Sequence, residues 1–328
     1  MLKPGKLPVE ILKNCIQLSG APDPRVVIGP RFGEDCAVID LGDRYLVTKT
    51  DPVTFTSKEI GWYAVNINAN DVAVMGAKPL WFQASLLFPV GTGEDTVREV
   101  FTQIDAACKD LGIAVTGGHT EVTAAVNQPV VVGDMHGLVE KDRLVTSSGA
   151  RPEDVVVMTK AAGIEGTGIL AEEKREELIG KVSETLLTEA CSLHQSISVV
   201  REALLAAEYG ATAMHDPTEG GVAMGLYEMA EASGYQLEIN VDKIPILSST
   251  AALCRHFGLN PLGLISSGTL LLTMAAKNWQ NLAKAFQAQG VTATPIGRVR
   301  PGKGIAAFSA GKRVPFVYSE ADELTKVL

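Results

Sequence analysis

Stretches of strand-like apolar composition alternate with stretches of helical apolar spacing along this chain, and nothing else in the sequence restricts the fold so strongly. A chain that keeps switching between a period of two and a period of about 3.6 stacks helices on sheets, so the class is α/β or α+β. Residues 9–18 have helical spacing, with Leu12, Cys15 and Ile16 on one face and Pro22 and Pro24 beyond it. Strands are predicted at 36–39 and 45–48, then a helix at 58–74, a strand at 80–88, a helix at 94–111 and strands at 113–116 and 129–139. Ser147 to Pro152 is the predicted boundary between domains 1–150 and 151–328. The second half reads as a strand at 155–159, a glycine-rich turn at 163–168, and helices at 170–178 and 183–207. Strands at 212–214, 236–241, 269–274 and 294–299 then alternate with helices at 220–232, 248–257 and 278–289.

The 328 residues suit about two domains, and 46% hydrophobic content fills real cores. A net charge of −9 with no basic stretch argues against a nucleic-acid partner. Cys15, Cys36, Cys108, Cys191 and Cys254 are far apart, beside apolar runs and without a C-x-x-C. That suits reduced, mostly buried thiols and a cytoplasmic location. The N-terminus lacks the apolar core of a secretion signal, and no uncharged run reaches the roughly 18 residues of a membrane span.

Five acidic segments sit where apolar runs end. They are Gly33-Glu34-Asp35-Cys36-Ala37, Lys49-Thr50-Asp51-Pro52, the run from Asn68 through Asn70-Asp71 to Ala77, Gly117-Gly118-His119-Thr120-Glu121, and His215-Asp216-Pro217-Thr218-Glu219-Gly220-Gly221. Carboxylates converging on one cleft repel each other and any phosphate unless hard cations stand between them. Mg²⁺ fits, since it takes one or two carboxylates plus phosphate oxygens. The pattern predicts a nucleotide–Mg²⁺ site without a P-loop, because no G-x-x-x-x-G-K-S/T occurs. Asp71 falls on the apolar stripe of Ile60, Ala64, Ile67 and Val74, where a ligand or a cation is the simplest compensation for an unpaired charge. Singly, Asp35 and Asp51 read as turn or cap residues. Asp216 reads equally as a ligand or as a helix N-cap, with Glu219 at the capping-box position. Gly166-Thr167-Gly168 is a weak dinucleotide match that reads better as a loop starting a helix, where backbone N–H groups can hold phosphate. No G-x-S-x-G exists to support a hydrolase triad, and the five histidines show no H-x-x-x-H spacing.

These segments resemble the aminoimidazole-ribonucleotide (AIR) synthetase superfamily. Gly33–Ala37 resembles its G-D-D-A/C-A segment, and Asn70–Ala77 is similar to its N-D-L/I/V-A-x-M-G-A segment. His215–Gly221 resembles the H-D-P-T-R-G-G of its hydrogenase-maturation branch, HypE. The resemblance runs over nearly the whole chain and also takes in thiamine-monophosphate kinase and selenophosphate synthetase. It implies a two-domain PurM-like fold: an N-terminal mixed sheet with helices that dimerises and binds ATP and Mg²⁺, and a C-terminal α/β sandwich.

Carried onto this chain, the resemblance implies Asp35, Asp51 and Asp71 as Mg²⁺ ligands and Asp216 as a further ligand or a phosphate-side acid, with Asp51, Asp71 and Asp216 at the chemistry. Thr50, Asn70, Gly117, Gly118, His119, Thr120, Lys160 and Gly166 would contact the nucleotide. His119 stands where the family commonly has Asp or Glu, so either Glu121 takes over as ligand, or His119 meets the nucleotide, or that metal position is lost. Glu219 replaces an Arg of the maturation branch. No Cys follows Cys254, so the branch's reaction on its own C-terminal Cys is not expected. The expected function is ATP- and Mg²⁺-dependent phosphoryl transfer to an unidentified small-molecule or protein-borne acceptor, with a link to hydrogenase maturation by another route. The alternatives are a nucleotide-binding regulator without turnover and an assembly factor using its dimer surface.

Overall fold

The first half forms around one helix. In the computed structural model, which describes residues 7–18, 20–31, 33–319 and 321–328, α1 (Val9–Cys15) and β1 (Val26–Ile28) lead into β2 (Ala37–Asp40) and β3 (Arg44–Val53). There follow α2 (Ile60–Val74), β4 (Lys78–Pro89), α3 (Glu94–Leu111), β5 (Ala114–Thr123) and β6 (Val130–Glu140). The six strands lie in the order β1-β2-β3-β6-β4-β5. All neighbours pair antiparallel except β4 and β5, which the α3 crossover makes parallel. α3 is amphipathic, burying Val100, Ile104, Ala107 and Cys108, and Gly112 ends it in the left-handed region at φ 69°.

α2 has no polar face. Every residue of it but Trp62 is buried, including Asn66, Asn68, Asn70 and Asp71. The single apolar stripe expected from the sequence is corrected: β3 and β6 pack on one side of α2, α3 on another, and a helix of the second half on a third. The polar side chains on such a helix need internal partners.

The second half contains β7 (Val155–Thr159), α4 (Ile164–Glu173), α5 (Arg175–Leu178), α6 (Glu184–Ser192), α7 (Val200–Glu208), β8 (Ala211–His215) and α8 (Gly221–Ser233). It continues with β9 (Gln236–Asn240), α9 (Ser248–Phe257), β10 (Leu271–Met274), α10 (Ala276–Ala288), β11 (Ala293–Arg300), β12 (Gly304–Ser309) and β13 (Lys312–Val314). Its seven strands run β13-β12-β9-β11-β7-β10-β8, antiparallel except for β9 with β12. Together the halves make an α/β architecture built on two mixed sheets. No helix among the described residues is long and apolar enough to cross a membrane. Cys36, Cys108 and Cys254 are buried, Cys191 is half-buried and Cys15 is exposed.

Three further readings are corrected by tertiary contacts. The helix expected at 183–207 breaks into α6, a 3₁₀ turn at Leu193–Ser196 and α7. At the break, Asn70 donates to Ile197 O and accepts from Val199 N, while Lys160 donates to Ser196 O and Ser198 O. These bonds compete with a continuous helical ladder. The glycine-rich turn at 163–168 is mostly helix, because α4 starts at Ile164. β1, β12 and β13 have no counterpart in the sequence reading.

Candidate metal and nucleotide site

Asp35 precedes β2, Asp71 lies in the last turn of α2, and Asp216 directly follows β8. Carboxylate oxygens of the three lie within 4.8 Å of one another. Asp216 is 1% exposed, and neither of its oxygens has a hydrogen-bond partner. It is not an N-cap, because α8 is capped by Gly220, whose N–H goes to Asp322 Oδ2 at 2.8 Å. Asp71 is 2% exposed, and Lys49 Nζ lies 3.1 Å from its Oδ2, an ion pair outside hydrogen-bond geometry.

The electrostatics follow from that geometry. Burial pushes Asp71 up to about 7, against the pull of Lys49 and with the push of Asp51 and Asp35. Burial, then Asp71 and Asp35, raise Asp216 well above the carboxylate range. At Asp35 burial also works against ionisation, but His215 overcomes it and holds this carboxyl low. His215 Nδ1 sits 3.0 Å from Asp35 Oδ2, and Nε2 sits 3.0 Å from Glu228 Oε2. Burial lowers the pKa of His215, and the two carboxylates more than reverse this, so the ring carries both protons. Three close carboxylates, one of them with no partner on either oxygen, are costly to ionise together. An all-oxygen donor set relieved by a hard divalent cation is the simplest compensation, and Mg²⁺ fits it.

Neighbouring side chains fix the cluster. Lys49 and Asp51, two apart on β3, share a face and pair at 3.1 Å. Asn68 Nδ2 donates to Ala64 O at 2.8 Å and to Asp51 O at 3.2 Å, tying α2 to β3. The Ser147 hydroxyl lies 3.2 Å from Asp35 Oδ2 and 3.1 Å from Met214 O. A cavity of about 370 Å³ opens here, lined by Asp35, Lys49, Asp51, Asp71 and His215, with Leu12 of α1 on its apolar side. That volume is within the range of small-ligand sites.

The other sequence-predicted residues lie elsewhere. Thr50 faces the opposite side of β3 from Asp51, and its hydroxyl donates to Gly133 O. Asn70 spends both ends of its amide on residues 197–199. Lys160 is held by Ser196 O, Ser198 O and Glu202, 2.7 Å away. The Gly166 N–H is already given to Ile265 O at 3.0 Å, and a Cβ there would come 2.4 Å from Leu264 Cγ. Close packing, not phosphate approach, accounts for that glycine. Gly117, Gly118, His119, Thr120 and Glu121 lie on β5, an exposed edge strand, outside the lining of the aspartate cavity. His119 Nε2 is 3.1 Å from Glu121 Oε2. Gly117, Gly118, His119 and Thr120 instead line a groove of about 520 Å³ with Phe82 and Phe101.

Sequence reasoning passed over Lys49, His215, Glu228 and Ser147. The i, i+2 spacing from Asp51 marks Lys49, and adjacency to Asp216 marks His215. Glu228 and Ser147 reach the site through tertiary structure alone.

The model of the AIR synthase related protein N-terminal domain matches residues 33–139, and that of the C-terminal domain matches residues 151–309. Carbamoyl dehydratase HypE of Cupriavidus necator is 28% identical over 249 residues, 75% of this chain and 67% of that protein. Thiamine-monophosphate kinase of Pyrococcus horikoshii is 27% identical over 286 residues, 84% of each chain. A crystal structure of the hydrogenase maturation protein HypE in complex with ATP superposes with a TM-score of 0.75 at 22% identity, covering 90% of both chains. With both domain models matched in order and the aspartate cluster assembled from both, the chain belongs to the AIR synthase related superfamily.

Proposed function

We propose that this protein is an ATP- and Mg²⁺-dependent phosphoryl-transfer enzyme whose metal ligands are Asp35, Asp71 and Asp216, with Asp51 at the cavity wall. The observation that carries this reading is buried Asp216, neither of whose oxygens has a hydrogen-bond partner, beside Asp71 and Asp35. Bound there, Mg²⁺ supplies charge neutralisation for the phosphates. The chain's own residues provide positioning. His215, braced by Glu228, orients Asp35, and Lys49 balances Asp51 and Asp71. No covalent protein nucleophile is needed. The names of the relatives support the reading, since one is a kinase, another a carbamoyl dehydratase, and a similar hydrogenase maturation protein was solved with ATP.

The acceptor is a small molecule or a protein-borne group. We further propose that β5 pairs with a second copy of the chain, which gives the exposed Gly117–Glu121 segment its place in a homodimer. Its open edge and the exposed Val115 and Val122 suit such pairing. Titration calorimetry with ATP, with and without Mg²⁺, tests the central reading, followed by ADP release. Mg²⁺-dependent binding is expected, and absence of binding at millimolar ATP and Mg²⁺ would overturn it.

A further inference from the structure

A smaller pocket of about 20 Å³ adjoins the aspartate cavity and shares Asp51, Thr218 and Glu219 with it. It has room for roughly one water-sized group. Two of its walls are Glu165 of α4, 2% exposed, and Ser267, fully buried. Neither Glu165 Oε2 nor Ser267 Oγ makes a hydrogen bond. The hydroxyl stands near enough to favour ionisation of the carboxyl, yet outside bonding geometry. Two unpaired polar groups on one small pocket are costly to leave unmatched, and a matching ligand group removes the cost.

The chemistry of that group follows from the walls. Asp51, Glu165 and Glu219 line the pocket, and no Lys, Arg or His does. The start of α4 offers little to a phosphate, because the N–H groups of Gly163, Gly166 and Thr167 already go to Ser266 Oγ, Ile265 O and Gly163 O. Burial outweighs the opposing Ser267 hydroxyl and, with Glu219, Asp322 and Asp51, raises Glu165 to about 8. A protonated carboxyl has one O–H to give and lone pairs to accept with, as does a serine hydroxyl.

Resting on the phosphoryl-transfer reading, we propose that Glu165 and Ser267 form an acceptor-recognition subsite. It takes an uncharged, hydroxyl-sized group that both gives and accepts a hydrogen bond, and it turns away acceptors that present a phosphate or carboxylate there. The test uses the full chain with labelled isoleucine methyls, because Ile67 and Ile265 also line the pocket. Methanol and ethylene glycol are titrated as neutral probes, acetate and methyl phosphate as anionic ones. The neutral probes are expected to shift both methyl signals in the wild type and in Glu165→Gln, which keeps a neutral donor and acceptor. In Glu165→Leu the apparent affinity is expected to fall at least tenfold, and in Ser267→Ala about threefold. The proposal is overturned by anionic probes that shift the same methyls, by loss of the response in Glu165→Gln, or by silence of all four probes. ATP–Mg²⁺ binding is measured separately by calorimetry. Its failure would sink the phosphoryl-transfer reading while the probe pattern still decides whether the subsite binds neutral groups.

Discussion

At the scale of single residues, Lys49 and His215 offset Asp71 and Asp35, and Asp216 is left without a hydrogen-bond partner. Asp71→Asn removes a buried acid that burial raises to about 7, and Lys49 keeps Asp51 as its counter-charge. The apo variant is expected to be as stable as the wild type or more so, by up to about 2 kcal/mol in chemical denaturation. Mg²⁺-dependent nucleotide affinity is expected to fall at least tenfold by calorimetry. A variant that binds ATP–Mg²⁺ normally would show that Asp71 is not a ligand. The sequence made Asp71 legible because its position on a helical apolar stripe left the charge unexplained. Asp216 was left open between cap and ligand, and only the observed Gly220 cap separates the two. Asn70 and Lys160 show the limit of motif reading. Both stand beside informative residues, yet both are consumed in holding the 196–199 segment.

At the scale of elements, β5 was expected as a short strand at 113–116, yet it runs on through the double glycine to Thr123. Glycines read from sequence as the end of a strand are here part of its pairing. Gly118 has φ 143°, and a Cβ on it would lie 2.2 Å from Ala84 O. Gly118→Ala is expected to destabilise the fold by about 1–3 kcal/mol in urea unfolding, with faster amide exchange along β5. Unchanged stability would mean that β4 and β5 can separate there without cost. The other elements were legible where periodicity was local, as in α3 and α9, and illegible where long-range bonds cut a helix, as between α6 and α7.

At the scale of the whole molecule, the acids of the site set a pH dependence. Asp71 has a folded pKa of about 7 against an ordinary value of 3.8, so the native state binds more protons between those limits. Its contribution to stability is therefore present below about pH 4 and is lost as pH rises toward 7. Asp216 and His215, both raised, act in the same direction, Asp216 above pH 3.8 and His215 above pH 6.5. Melting temperatures of the apo protein are expected to decline from pH 5 to 8, with Mg²⁺ and ATP restoring more at pH 8 than at pH 5. A flat profile would show that these groups ionise as freely folded as unfolded.

Because Asp35 and Asp71 come from the first half of the chain and Asp216 from the second, a cation held by all three would add a further tie between halves that already share a core. Without it, the packing of α2 on α7 and bonds such as those from Asn70 to residues 197–199 are what join the halves, and a broader calorimetric transition is expected. With ATP and Mg²⁺ bound, neither half can open without surrendering the ligand, so the transition should sharpen and move to higher temperature. Nucleotide occupancy would then be legible in the cooperativity of unfolding, before any product is formed.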